Sequence, residues 1–273
     1  MSFTPQRKLK NSLKKFLIVL FGLYVMIGSA LYFFQEKMLF LPTTLEQDYQ
    51  YQFDSSFEEL FLNPEENVTI NALHFKVEKP KGVILYFHGN AGDLSRWGKI
   101  TEYFVENNYD VLVMDYRTYG KSIGPLSEDA FYDDAQFCYD FLLRQYSENE
   151  ITVYGRSLGT GIASYLASKN QPKQVILETP YHSILDVAEY RFPMFPVKKL
   201  LKYNFPTFKY LAKAGCPITI IHGTDDNVVP YSSGKKLSEL NINDLNFITI
   251  EGGNHNNLID FKDYHNTIDN VLK

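Results

Sequence analysis

Six short, mostly apolar runs constrain this chain more than any other feature: residues 83–87, 111–114, 151–154, 175–177, 218–221 and 247–250. Unbroken apolarity of this kind fits strands buried on both faces of a parallel sheet. Helix-length patterns separate most of the runs, at 94–105, 128–146, 158–168, 231–240 and 261–272. Ser127 is placed to cap the second of these, with acids in the turn that follows. Strand–helix alternation predicts an α/β domain with a mostly parallel, doubly wound sheet and helices on both faces. Two further strands are expected at 57–62 and 68–77, joined around Asn63-Pro64. The chain has 273 residues, 45% of them hydrophobic and 22% charged, enough for one such domain plus an appendage.

One strand-to-helix junction carries Gly155-Arg156-Ser157-Leu158-Gly159. A Gly-x-Ser-x-Gly in that position is the nucleophile-elbow pattern. So sharp a turn strains the serine backbone, and side chains at the flanking positions would collide with the strand or the helix. Glycines at 155 and 159 remove those collisions. Ser157 Oγ would then stand at a helix N-terminus, where partial positive charge favours a developing anion.

The appendage is N-terminal. Residues 16–34 contain no charge, and as a helix they would be about 28 Å long, close to the roughly 30 Å of a hydrocarbon core. Arg7, Lys8, Lys10, Lys14 and Lys15 precede them, and residues 1–34 hold no acid. We therefore expect a basic cytoplasmic tail at 1–15, a transmembrane signal anchor at 16–34 and the body on the non-cytoplasmic side, periplasm or lumen. Cleavage near Gly28-Ser29-Ala30 is the alternative, but the apolar run continues beyond it. Overall net charge is −5, yet without residues 1–34 the balance is 22 basic against 32 acidic residues. So acidic a body argues against a nucleic-acid partner. Cys138 and Cys216 lack metal-ligand spacing, and no disulfide is expected; Cys138 falls in line with core positions of its helix.

Residues 35–56 read as a juxtamembrane connector, with 39–42 docking on the body, and 57–273 as the main domain. Within it, 181–211 breaks the rhythm, with Pro193, Pro196, Pro206 and four lysines. That length exceeds a normal strand–helix–strand link. It is either a small lid-like insertion or a proline-broken helix that only packs.

A serine nucleophile needs a base, an acid to orient that base, and donors for the oxyanion. In open α/β sheets such groups gather at the C-terminal strand ends. His255, in a polar glycine-rich loop after the last run, is the best base among six histidines. His88 reads as a loop-ordering residue, His222 as a strand terminator that packs locally, and His74 as a strand residue. His182 and His265 read as structural or exposed. Asp225 or Asp226, after the 218–221 run, supplies a carboxylate. Asn90 and Leu158 offer backbone N–H groups. The resulting order is nucleophile, acid, base.

The chain resembles the α/β-hydrolase superfamily, and within it a signal-anchored, small-lidded group with a serine aminopeptidase-like domain. The resemblance runs from about Phe34 to the C-terminus. It is carried by Phe34-Gln35-Glu36-Lys37, by Tyr86-Phe87-His88-Gly89-Asn90-Ala91-Gly92, by residues 115–122, by the elbow, by Leu177-Glu178-Thr179-Pro180, by residues 222–226 and by His255-Asn256-Asn257-Leu258. It implies an acid at Asp226 rather than Asp225 and an oxyanion donor at Asn90. It also implies ester or thioester hydrolysis, including removal of fatty acyl groups, with no metal or cofactor. Thr118 departs from the pattern, since relatives usually carry glycine there. The expected activity is that of a membrane-anchored serine hydrolase acting on a small-molecule or lipid-like acyl substrate. The competing readings are a serine peptidase, with Glu178 or Asp186 holding a basic terminus, and a catalytically silent tethered binding protein.

Overall fold

The structure, a computed structural model, describes residues 5–273. The first four residues of the expected basic tail, and the side chains of Arg7 and Lys8, lie outside what is described. In chain order the elements are α1 (Pro5–Phe33), α2 (Gln35–Leu39), β1 (Leu41–Pro42), β2 (Phe57–Leu62), β3 (Ile70–Phe75), β4 (Val83–Phe87), β5 (Ala91–Gly92), α3 (Leu94–Glu106) and β6 (Asp110–Met114). There follow α4 (Glu128–Leu142), β7 (Ile151–Arg156), α5 (Gly159–Ala167), β8 (Gln174–Glu178), α6 (Ile184–Arg191), α7 (Val197–Leu200) and α8 (Thr207–Leu211). The chain closes with β9 (Ile218–Gly223), α9 (Tyr231–Lys235), β10 (Leu245–Ile250) and α10 (Lys262–Val271).

The main sheet has the order β10-β9-β8-β7-β4-β6-β3-β2. From β10 to β6 every pairing is parallel. The β2–β3 hairpin closes one edge antiparallel. Alternation along each buried strand feeds two cores. Val83, Leu85 and Phe87 of β4 pack with α4 and α5, through Phe131, Cys138, Ile162 and Leu166. Ile84 and Tyr86 face the other side and pack with α3 and α10, through Trp97, Phe104, Tyr264 and Ile268. Helices therefore cover both faces of the sheet, which is the α/β-hydrolase architecture. Cys138 and Cys216 are both buried and free.

Local chemistry accounts for the helix starts. Asp93 accepts from Ser95 N–H at 2.7 Å to begin α3, and Ser127 accepts from Ala130 N–H at 3.0 Å to begin α4. Two helices are shorter than their patterns. The chain turns out of α4 after Leu142, and the Tyr146 hydroxyl donates to Asp110 at 2.5 Å at the start of β6. After α9 the chain tightens into a 3₁₀ turn over Lys236–Glu239. In residues 181–211, Pro193, Pro196 and Pro206 divide the insertion into α6, α7 and α8.

Leu9–Phe33 of α1 is long and apolar enough to cross a membrane, and it is unburied. The segment after it turns back onto the body. Phe40 is 4% exposed and packs edge-on against Tyr203, while β1 pairs in parallel with β5.

Thr118 has φ +76°, a left-handed conformation that is costly for a β-branched residue. Its side chain is exposed. A glycine at this position would relieve the strain. We expect Thr118→Gly to stabilise the fold by about 1 kcal/mol, which raises the melting temperature by roughly 2–4 °C. An unchanged or lower melting temperature would contradict this.

Candidate active site

The elbow lies between β7 and α5, where Ser157 has φ +51°. The glycines on either side have no room for a side chain. A Cβ on Gly155 would sit 2.5 Å from the Gly159 carbonyl oxygen, and one on Gly159 would sit 2.1 Å from that of Phe87. The Ser157 N–H donates to the Glu178 carbonyl on β8 at 2.9 Å, which ties the turn to the sheet.

Ser157 Oγ lies 2.9 Å from His255 Nε2, and His255 Nδ1 lies 2.8 Å from Asp226 Oδ2. All three residues are buried. Asp226 follows β9 and His255 follows β10, so neighbouring parallel strands deliver both. The two loops touch directly: Thr224 N–H donates to the Ile250 carbonyl and Asp225 N–H to that of Gly253. A Cβ on Gly223 would sit 2.2 Å from the Gly253 carbonyl oxygen, so this contact requires glycine. Asp225 is exposed, whereas Asp226 Oδ1 accepts from the N–H groups of Val228 and Val229, both at 2.8 Å. Burial pushes the Asp226 carboxyl up, but the hydrogen bonds and charges of His222 and His255 outweigh it and hold the group well below the usual carboxylate range.

Asn90 and Leu158 line the same apolar cavity as Ser157, with Tyr181, Phe205 and Val229 among its other walls; its volume is about 180 Å³. Neither the Asn90 nor the Leu158 N–H donates to a backbone acceptor among the described residues. The connector holds the Asn90 loop. Asn90 Nδ2 donates to the Leu39 carbonyl at 3.0 Å, and the Asn90 carbonyl accepts from Leu41 N–H at 2.8 Å. A hydroxyl, imidazole and carboxylate in line, beside two backbone N–H groups, of which that of Leu158 is at a helix start, is a geometry suited to acyl transfer. Among the described residues no cluster of three His, Cys, Asp or Glu side chains is arranged to hold a metal.

The other histidines sit elsewhere. His88 is fully buried, its Nδ1 2.6 Å from the Gly89 carbonyl and its Nε2 3.3 Å from Asp115. It packs between Trp97 and Tyr116. His74 is buried within β3, and burial pushes its pKa down to about 4. His182 stacks on Phe208, and His265 meets the Tyr103 hydroxyl at 3.0 Å. His222 does more than end its strand: its Nε2 approaches Asp226 Oδ2 at 3.2 Å. Residue spacing gives no sign of this contact, because His222 ends a strand and Asp226 lies in the turn after it.

Arg156 has a role that no sequence pattern marks. It is buried, pairs with Glu178 at 3.2 Å and donates to the His255 carbonyl at 3.3 Å. Burial lowers the Arg156 pKa, and Glu178 more than restores it. Glu178 further accepts from the Tyr154 hydroxyl at 2.5 Å. The pair is thus a buried strut behind the His255 loop. Arg156→Met should destabilise the fold by about 3–5 kcal/mol, because it strands the Glu178 charge. A thermal melt unchanged from the parent would refute the strut.

Comparison with known proteins assigns the chain. A family model described as serine aminopeptidase, S33, matches residues 78–215. The chain belongs to that family of α/β-hydrolases. The hydrolase is 31% identical to the Xenopus tropicalis lysophosphatidylserine lipase ABHD12, over 83% of this chain and 71% of that one. It is 29% identical to a putative alpha/beta hydrolase, L404, of Acanthamoeba polyphaga mimivirus, over 82% of this chain and 88% of that one. Its fold matches that of the Pyrococcus furiosus esterase Pf2001 with a TM-score of 0.69 at 19% identity, covering 86% of this chain and 96% of that one.

Proposed function

We propose that this hydrolase cleaves carboxylic esters or thioesters of lipid-like acyl compounds through an acyl-enzyme formed on Ser157. His255 takes the Ser157 proton as Oγ attacks the acyl carbonyl, then returns it to the leaving group. Asp226 orients His255 and stabilises its charged form. The Asn90 and Leu158 N–H groups receive the oxyanion, and water, activated by His255, releases the acyl group. The hydrogen-bonded line from Ser157 through His255 to Asp226 carries this reading. An apolar cavity around Ser157 supports an acyl substrate, and the lipase name of the Xenopus relative points the same way.

The proposal places 16–34 across a membrane, 1–15 in the cytoplasm, 35–56 as a connector and 57–273 as the catalytic body on the far side, with 181–211 as its lid. The peptidase reading loses the acids it needs. Glu178 is taken up by Arg156 and Tyr154, and Asp186 by Lys236. Assay of p-nitrophenyl acyl esters beside aminoacyl-nitroanilides tests the choice. Turnover of the esters alone is expected; faster cleavage of the anilides would overturn the assignment.

A further inference from the structure

The lid reaches further along α1 than a lid over Ser157 requires. Phe195 stacks on Tyr24, with ring centroids 4.8 Å apart and planes 6° from parallel. The Tyr24 hydroxyl donates to the Met194 carbonyl at 3.1 Å. Tyr24 lies nine residues before Phe33, the last residue of α1, hence about 14 Å back along the helix. A hydrocarbon core is about 30 Å thick. With residues 16–34 spanning a bilayer, the Tyr24–Phe195 stack lies at the inner limit of the near leaflet, close to the midplane.

The chemistry of the lid tip suits that depth. Tyr190 is 65% exposed and Met194 80%. Backbone groups in lipid need internal partners. Over residues 192–197, two positions are prolines without an N–H, Phe192, Phe195 and Val197 each donate to a carbonyl within the lid, and Met194 alone has an N–H with no backbone acceptor among the described residues. Basic side chains flank the tip: Arg191, Lys198, Lys199 and Lys202 are all exposed, and Lys202 lies over the Tyr32 ring at 4.9 Å. Cations beside aromatic rings are the usual chemistry of the headgroup level.

A second apolar cavity, of about 200 Å³, lies between lid and helix; Leu31, Ala188, Phe192 and Val197 contribute to its wall. It shares Met38, Leu39, Ile184 and Val187 with the cavity that contains Ser157. The two therefore adjoin, and together they lead from the nucleophile to α1.

We propose that the lid tip lies in the near leaflet beside α1, and that the cleft between them admits the acyl chain of a leaflet-resident ester sideways to Ser157. The inference rests on the ester-hydrolase reading above and adds the source and path of the substrate. The lid is then a fixed wall of an acyl channel, and long chains are favoured because only they fill both cavities.

The test uses the full chain in phosphatidylcholine vesicles. It compares a bilayer-borne oleoyl monoester with water-soluble p-nitrophenyl acetate. Ala188→Trp fills the outer cavity and leaves Ser157 untouched. The oleoyl-to-acetate turnover ratio should fall by about tenfold or more. A parent chain that cleaves both esters, with an unchanged ratio in the variant, overturns the channel alone. A parent chain inert toward both overturns the ester reading itself, and the channel with it. A nitroxide at Met194→Cys tests the depth independently; Cys138 and Cys216 are buried and do not compete for the label. Greater accessibility to oxygen than to a soluble nickel chelate supports insertion, and the reverse overturns it.

Discussion

Replacing Ser157 with alanine is expected to lower ester turnover by about 10⁴-fold or more and to abolish labelling by a fluorophosphonate probe. Neither cysteine is suited to take over as nucleophile. Cys138 and Cys216 are buried, and burial pushes both thiols above their ordinary pKa, which keeps them protonated. The fold has little reason to respond. Ser157 is at φ +51°, and alanine meets the same backbone cost there. The Ser157 N–H and carbonyl, which bond to Glu178 and Thr160, are untouched. The melting temperature should therefore stay near that of the parent while turnover collapses. Residual labelling at the parent rate would mean that another residue is the nucleophile.

Asp226→Asn should lower kcat by about 10⁴-fold with little loss of labelling-site structure. The argument is one of hydrogen-bond direction. Asp226 Oδ1 accepts two backbone N–H groups, from Val228 and Val229, so an asparagine must place its carbonyl oxygen there. Its amide nitrogen then faces His255 Nδ1 and His222 Nε2, positions that the carboxylate serves as an acceptor. Two donors cannot share that contact. His255 is forced to present Nδ1 as an acceptor and to carry its proton on Nε2, toward Ser157, where a base must be unprotonated. Stability should respond to pH as well. The folded Asp226 carboxyl is held below its ordinary pKa, so its contribution is fully present above the unfolded value of about 3.9. It is lost as pH falls through the lower folded value. The parent should thus lose stability in that acidic window, and Asp226→Asn should lack this part of the loss. Normal turnover in the variant would refute the assigned role of Asp226.

The sheet was legible because its signal is local. Each buried strand appears as a short apolar run, and the glycines at 155 and 159 announce a turn whose geometry leaves no space for a Cβ. Helix starts were legible where a side chain caps them, as at Ser127. Helix ends were less so. The 128–146 pattern stays helical in composition, yet a tertiary bond from Tyr146 to Asp110 draws the chain away after Leu142. Strand ends brought Ser157, Asp226 and His255 together as a parallel sheet with neighbouring β9 and β10 requires. Their supports were not legible. The Arg156–Glu178 pair joins two strands, the contacts of Asn90 with Leu39 and Leu41 join connector to loop, and His222 shares a carboxylate with a residue on another strand. Such polar contacts have no period in the sequence. The depth of the lid tip was equally hidden, because it depends on one aromatic stack between residues 24 and 195.

The most direct test of the account is to locate the acyl group. The full chain in detergent is mixed with a p-nitrophenyl acyl ester, quenched in acid during turnover, and digested with trypsin. The peptide 157–169, released after Arg156 and Lys169, should carry the mass of the acyl group on Ser157, and the adduct should vanish in Ser157→Ala. An acyl adduct on another peptide, or one that persists in Ser157→Ala, would contradict the assignment of Ser157 as the nucleophile.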